Sequence, residues 1–116
     1  MEKNAARTLK IKTSTLKRTQ KDHQSYAKET KQLEEKLEAL KAQEGADPYN
    51  IKKMEEQVAE TAQMLPNAKT RIETALEDLE GFLGSNQENA ELVASEDWKA
   101  AEQTLAEVKA FVETIW

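Results

Sequence analysis

Few side chains in this 116-residue sequence have the types that do chemistry, and their spacing argues against it. The single histidine, His23, has Asp22 and Ser25 one and two places away, whereas a helix brings together residues three or four apart. No hydrolase triad assembles there. His23 reads as a polar seam residue beside Thr19, Tyr26 and Thr30, with a partner contact or a pH-sensitive role as the alternative. The absence of cysteine excludes disulfides, thiolate zinc sites and cysteine nucleophiles, and permits a reducing compartment. The pairs Glu34–Glu38 and Glu73–Glu77 have helical spacing, but acids this frequent on solvated faces produce such pairs by chance. Gly45, Gly81 and Gly84 sit at expected helix ends with no strand before them, unlike a phosphate-binding loop. The reading is therefore no enzyme, no metal and no cofactor.

Charge is the stronger signal. The net charge of −5 conceals an asymmetry, since residues 1–28 carry eight Lys or Arg against two acids and residues 29–116 carry nine against twenty. An acidic whole does not suggest a nucleic-acid binder. The basic run Lys10, Lys12, Lys17, Arg18, Lys21, Lys28 and Lys31 is either an ordinary solvated face or a contact for an acidic protein partner. Too few bulky apolar residues accompany these lysines for membrane-surface binding. No apolar run of about 18 residues spans a bilayer, and the N-terminal segment lacks the apolar stretch of a secretory signal. The cytosol fits best, with a mitochondrial address as the lesser alternative.

Long amphipathic helices must position whatever these residues do. A chain that is 34% charged and 38% hydrophobic, with three glycines and two prolines, lies far from β-rich composition. Counting by sevens from Leu9 gives Leu16, His23, Thr30 and Leu37, with Lys12, Thr19, Tyr26, Leu33 and Leu40 as companions, a seam that is polar in its first half. Ile51, Val58, Leu65, Ile72 and Leu79 form a cleaner series with Met54, Thr61, Ala68, Ala75 and Phe82, and Leu76 and Leu83 widen it to the face a bundle helix needs. A third seam runs through Trp98, Ala101, Leu105, Val108, Val112 and Ile115, flanked by Phe111, with Trp98 as a core anchor and Trp116 either exposed or capping the bundle end.

The punctuation fits this division. Gly45 can take the left-handed conformation that ends a helix, and Asp47 with Pro48 supplies an N-cap and a preset first residue. Gly81 and Gly84 close the second segment. Ser85 with Glu88 has capping-box spacing, and Ser95 is the rival start. The expectation is a single all-α domain over residues 1–116, an antiparallel up-down-up three-helix bundle with coiled-coil-like heptad packing. Its helices cover about 4–43, 48–82 and 86–115, roughly 60, 50 and 45 Å long at about 1.5 Å per residue. Pro66 falls one place after the seam residue Leu65, so its ring points away from the core and the second helix should kink there rather than stop.

Several segments taken in order resemble one family: IKT at 11–13, KR at 17–18, YAKETKQLEEKLE at 26–38, Gly45, YNIKK at 49–53, and Met64 to Pro66 as MLP. Arg71, Ala75 and the Leu76, Leu79, Leu83 ladder extend the likeness over roughly residues 8–83, with the third helix matching in length and pattern only. The chain is similar to tubulin-folding cofactor A, also called tubulin-specific chaperone A. The resemblance implies a three-helix bundle that captures β-tubulin intermediates after chaperonin release and holds them for αβ-tubulin heterodimer assembly, without ATP. It also implies cytoplasmic, cytoskeleton-associated work, other tubulin-folding cofactors as further partners, and binding through helical surfaces rather than a pocket. The candidate partner-binding residues inside the matching motifs are Lys12, Lys17, Arg18, Lys28, Glu34, Glu35, Tyr49, Lys52 and Lys53. Thr19 and Gln20, where the family tends to be apolar, and the apolar ending Phe111, Val112, Ile115 and Trp116 favour a homodimer. The alternative function is a coiled-coil scaffold or adaptor that oligomerises through its seams.

Overall fold

The computed structural model describes residues 2–115, and among them every regular element is an α-helix: α1 (Glu2–Ala42), α2 (Pro48–Ser85), α3 (Ala90–Val93) and α4 (Glu96–Ile115). Trp116 lies outside the described residues. The turn after α1 uses the residues expected of it. Gly45 has φ +77°, the one positive φ among the described residues, and Asp47 Oδ1 accepts the Tyr49 N–H at 3.0 Å to cap α2. Past Pro66, whose ring is exposed, α2 continues without a break. An off-seam proline removes one backbone donor but displaces no core side chain.

The third segment differs from the expected helix over 86–115. Gly81 and Gly84 do not end α2, which runs through both to Ser85, so Ser85 is helical and cannot serve as an N-cap. Instead Asn86 closes α2, its Nδ2 donating to the Phe82 carbonyl at 2.8 Å. Asn89 Oδ1 then accepts the Leu92 N–H at 3.2 Å and starts the single turn of α3. The rival start is the one used: Ser95 Oγ accepts the Trp98 N–H at 3.2 Å and donates to the Leu92 carbonyl at 2.6 Å. That side chain ends α3 and opens α4 at once. With 20 residues, α4 is roughly 30 Å long.

The chain divides into two compact units, one of Met1–Gln20 with Thr70–Trp116 and one of Lys21–Lys69. In the first unit, Leu9 and Leu16 of α1, Ile72, Ala75, Leu76, Leu79 and Leu83 of α2, Leu92 of α3, and Trp98, Ala101 and Val108 of α4 form one core cluster. Leu9, Leu16, Ile72, Leu79 and Val108 are fully buried, each contributing about 1.5–3 kcal/mol. The second unit consists of the C-terminal arm of α1, the turn and the N-terminal arm of α2. Its buried residues are His23, Thr30, Leu37 and Ala68, while Leu33, Leu40, Ile51, Met54, Val58 and Leu65 are only half-buried.

Candidate partner-binding surface

The candidate residues divide between the two units. In the first, Lys12 is half-buried rather than projecting freely: its Nζ donates to both Asp78 carboxylate oxygens at 2.8 and 2.7 Å and lies 5.9 Å from the centroid of the Phe82 ring. As a companion-place residue, it lays its methylene stem along the seam and keeps its charge at the edge. Lys10 meets Asp97 at 3.8 Å and Lys109 meets Glu80 at 3.3 Å. The three ion pairs thus link α1 with α2, α1 with α4, and α2 with α4. Part of the basic run is thereby engaged inside the unit, whereas Lys17 and Arg18 remain exposed.

In the second unit, Lys28, Glu34, Glu35, Tyr49, Lys52 and Lys53 are all exposed. Tyr49 stands in the first turn of α2, is 61% exposed, and carries Lys53 Nζ 5.2 Å from its ring centroid. The i to i+4 spacing along α2 sets up this cation–π contact. With Lys52 beside them, the three side chains give the turn end of the unit an aromatic and basic character.

Among the described residues no three His, Asp or Glu side chains gather closely enough to hold a metal ion, and no helix is long and apolar enough to cross a membrane. His23 is 8% exposed, and its burial lowers the imidazole pKa below the ordinary 6.5. It belongs to the seam. No local pattern marks the Lys12–Asp78 bridge, because the two residues lie 66 positions apart.

Among the described residues Tyr49 is the one exposed aromatic, set in a helical surface with exposed charge. The sequence profile described as Tubulin binding cofactor A matches residues 4–105. The chain belongs to this family. Over 103 residues it is 42% identical to the tubulin-specific chaperone A of Gallus gallus, covering 89% of this chain and 92% of that one. Against the Arabidopsis thaliana tubulin-folding cofactor A it is 40% identical over 103 residues, 89% of each chain. Two solved structures share the fold. The Arabidopsis thaliana cofactor A matches with a TM-score of 0.79 at 35% identity, covering 92% of this chain and 97% of that one, and the human tubulin chaperone cofactor A with 0.74 at 37%, covering 90% and 98%. The cofactor A match reaches into α4, beyond the motifs at residues 8–83 that carry the resemblance in sequence.

Proposed function

We propose that this chain is a tubulin-folding cofactor that captures and stabilises β-tubulin folding intermediates after chaperonin release, for assembly into αβ-tubulin heterodimers, without ATP. The observation that carries the reading is the likeness over 103 residues to relatives named tubulin-specific chaperone A. Binding runs through the helical surface: Lys17 and Arg18 in the first unit, and Lys28, Glu34, Glu35, Tyr49, Lys52 and Lys53 in the second. Lys12 contributes by holding α1 to α2. The work is cytoplasmic and cytoskeleton-associated, with other tubulin-folding cofactors as later recipients. In the first unit α1, α2 and α4 take the antiparallel up-down-up course of a three-helix bundle, a reading supported by the core they share.

The test is capture of newly translated β-tubulin by the tagged chain after chaperonin release in an ATP-depleted reaction, followed by size-exclusion chromatography. Co-elution supports the reading, and β-tubulin eluting without the chain under these conditions contradicts it. A second reading, a scaffold that oligomerises through its seams, is favoured by the half-buried seam of the second unit. Sedimentation showing an elongated higher oligomer at micromolar concentration would support it over the chaperone.

A further inference from the structure

Positive charge in the first unit is gathered on one helix. From Lys3 to Lys21 the sequence has no Asp or Glu. Over residues 4–20 of α1 the exposed side chains are Arg7, Lys10, Lys17 and Arg18, with Asn4, Ile11 and Ser14 among them. Spacings of three and four places keep all of these on one face of the helix. The other long helices of the unit have the opposite balance. Exposed on residues 70–85 of α2 are Glu73, Glu77, Asp78 and Glu80 against Arg71, and α4 exposes four glutamates against Lys99 and Lys109.

Among the described residues little of this positive charge is matched within the unit. Lys10 meets Asp97 at 3.8 Å, yet its side chain stays 66% exposed. Asp22, four places after Arg18, is the one acid of α1 at helical spacing from any of the four cations, and it belongs to the second unit. Arg7 and Lys10 are three apart, so their like charges disfavour the helix that holds them. An anion laid along the face would relieve that repulsion. Ile11 stands amid the charge and is 56% exposed, which gives the face an apolar point of contact as well.

We propose that this outer face of α1 in the first unit binds an acidic peptide segment, rich in Asp and Glu and carrying one large apolar side chain. Its carboxylates pair with the planar guanidinium donors of Arg7 and Arg18 and with the ammonium groups of Lys10 and Lys17, and its apolar residue covers Ile11. From Arg7 to Arg18 the helix rises roughly 17 Å, the reach of about five residues of extended chain. Nucleic acid fits less well, because Ile11 offers a base no stacking surface and the phosphates would approach the acidic faces of α2 and α4. A membrane surface calls for a row of bulky apolar residues rather than one. A second copy would have to offer its α2 or α4 face, a head-to-tail contact that builds open chains unless its rotation closes a ring. The inference does not depend on the chaperone reading, which places Lys17 and Arg18 on the binding surface without saying what chemistry they receive.

Anisotropy of a fluorescent Glu-rich peptide with a central Leu, titrated with the full chain, tests this. The peptide is expected to bind, and to bind more weakly as salt is raised. Lys17→Glu with Arg18→Glu should weaken binding by about tenfold, with helicity and Tm unchanged. Lys52→Glu with Lys53→Glu makes the same change in net charge at exposed places of the second unit and should leave binding unaltered. Ile11→Ser should weaken it severalfold, a loss that should vanish when the peptide carries Ser in place of its Leu. Equal losses from the two double variants would reduce the effect to overall charge and overturn the inference. Tighter binding of a single-stranded oligonucleotide would overturn it too, as would self-association that Lys17→Glu with Arg18→Glu abolishes while the peptide fails to bind. A chain that binds the peptide but captures no β-tubulin keeps this inference and sinks the chaperone reading. Capture of β-tubulin without peptide binding does the reverse.

Discussion

Lys12 Nζ sits between the two carboxylate oxygens of Asp78, at 2.8 and 2.7 Å, and joins α1 to α2 across 66 positions of sequence. Its side chain is 24% exposed and that of Asp78 is 55% exposed, so solvent screens the pair and it contributes about 0.5–1 kcal/mol. The Phe82 ring adds a further favourable contact. Lys12→Met should lower stability by about 1 kcal/mol, and the coupling with Asp78→Asn in a double-mutant cycle should shrink as salt is raised. Urea denaturation at low and high salt measures both. Coupling independent of salt would mean that the stem, not the charge, holds the position.

Ser95 uses one hydroxyl twice, accepting from Trp98 N–H and donating to the Leu92 carbonyl. Ser95→Ala should cost about 1 kcal/mol, the usual loss for an N-cap, whereas Ser85→Ala, inside α2, should cost little. Thermal unfolding of the two variants separates the starts that the sequence leaves in competition. An equal loss from both would contradict the assignment.

Much of this architecture is legible in the sequence. Leu9, Leu16, His23, Thr30 and Leu37 form a heptad series and all five are buried, and their five companions are all half-buried. Periodicity shows this because burial follows helical repeat directly. The start of α4 is not legible in the same way: Ser85 with Glu88 and Ser95 both satisfy local capping rules, and only the continuation of α2 to Ser85 removes the first. Lys12 shows a parallel limit. A lysine in a companion place looks like a surface charge until its partner on another helix is known, so the engagement of Lys12 with Asp78 is not legible in the sequence.

Gly81 and Gly84 have room for a side chain, since a Cβ at either meets nothing within 4 Å, and neither has a positive φ. Glycine inside a helix costs about 0.5–1 kcal/mol relative to alanine. Gly81→Ala and Gly84→Ala should each stabilise the chain by that amount in chemical denaturation. Destabilisation by either would show that the end of α2 depends on backbone freedom there.

His23 makes stability depend on pH in a defined direction. Burial lowers its folded pKa below the ordinary 6.5, so as pH falls through 6.5 the unfolded chain takes up the proton first and the folded state loses ground. The loss begins near pH 6.5 and continues down to the folded pKa. Urea midpoints between pH 8 and pH 5 should fall across this window, and His23→Gln should flatten the fall. An unchanged slope in the variant would place the dependence elsewhere.

The proposed selection of β-tubulin by this helical surface is tested most directly by retention from a lysate. A tagged copy of the chain, incubated with a cell lysate and washed at moderate salt, is probed for β-tubulin and α-tubulin side by side. The account predicts retention of β-tubulin well in excess of α-tubulin. Equal retention of the two, or retention of neither, would contradict it.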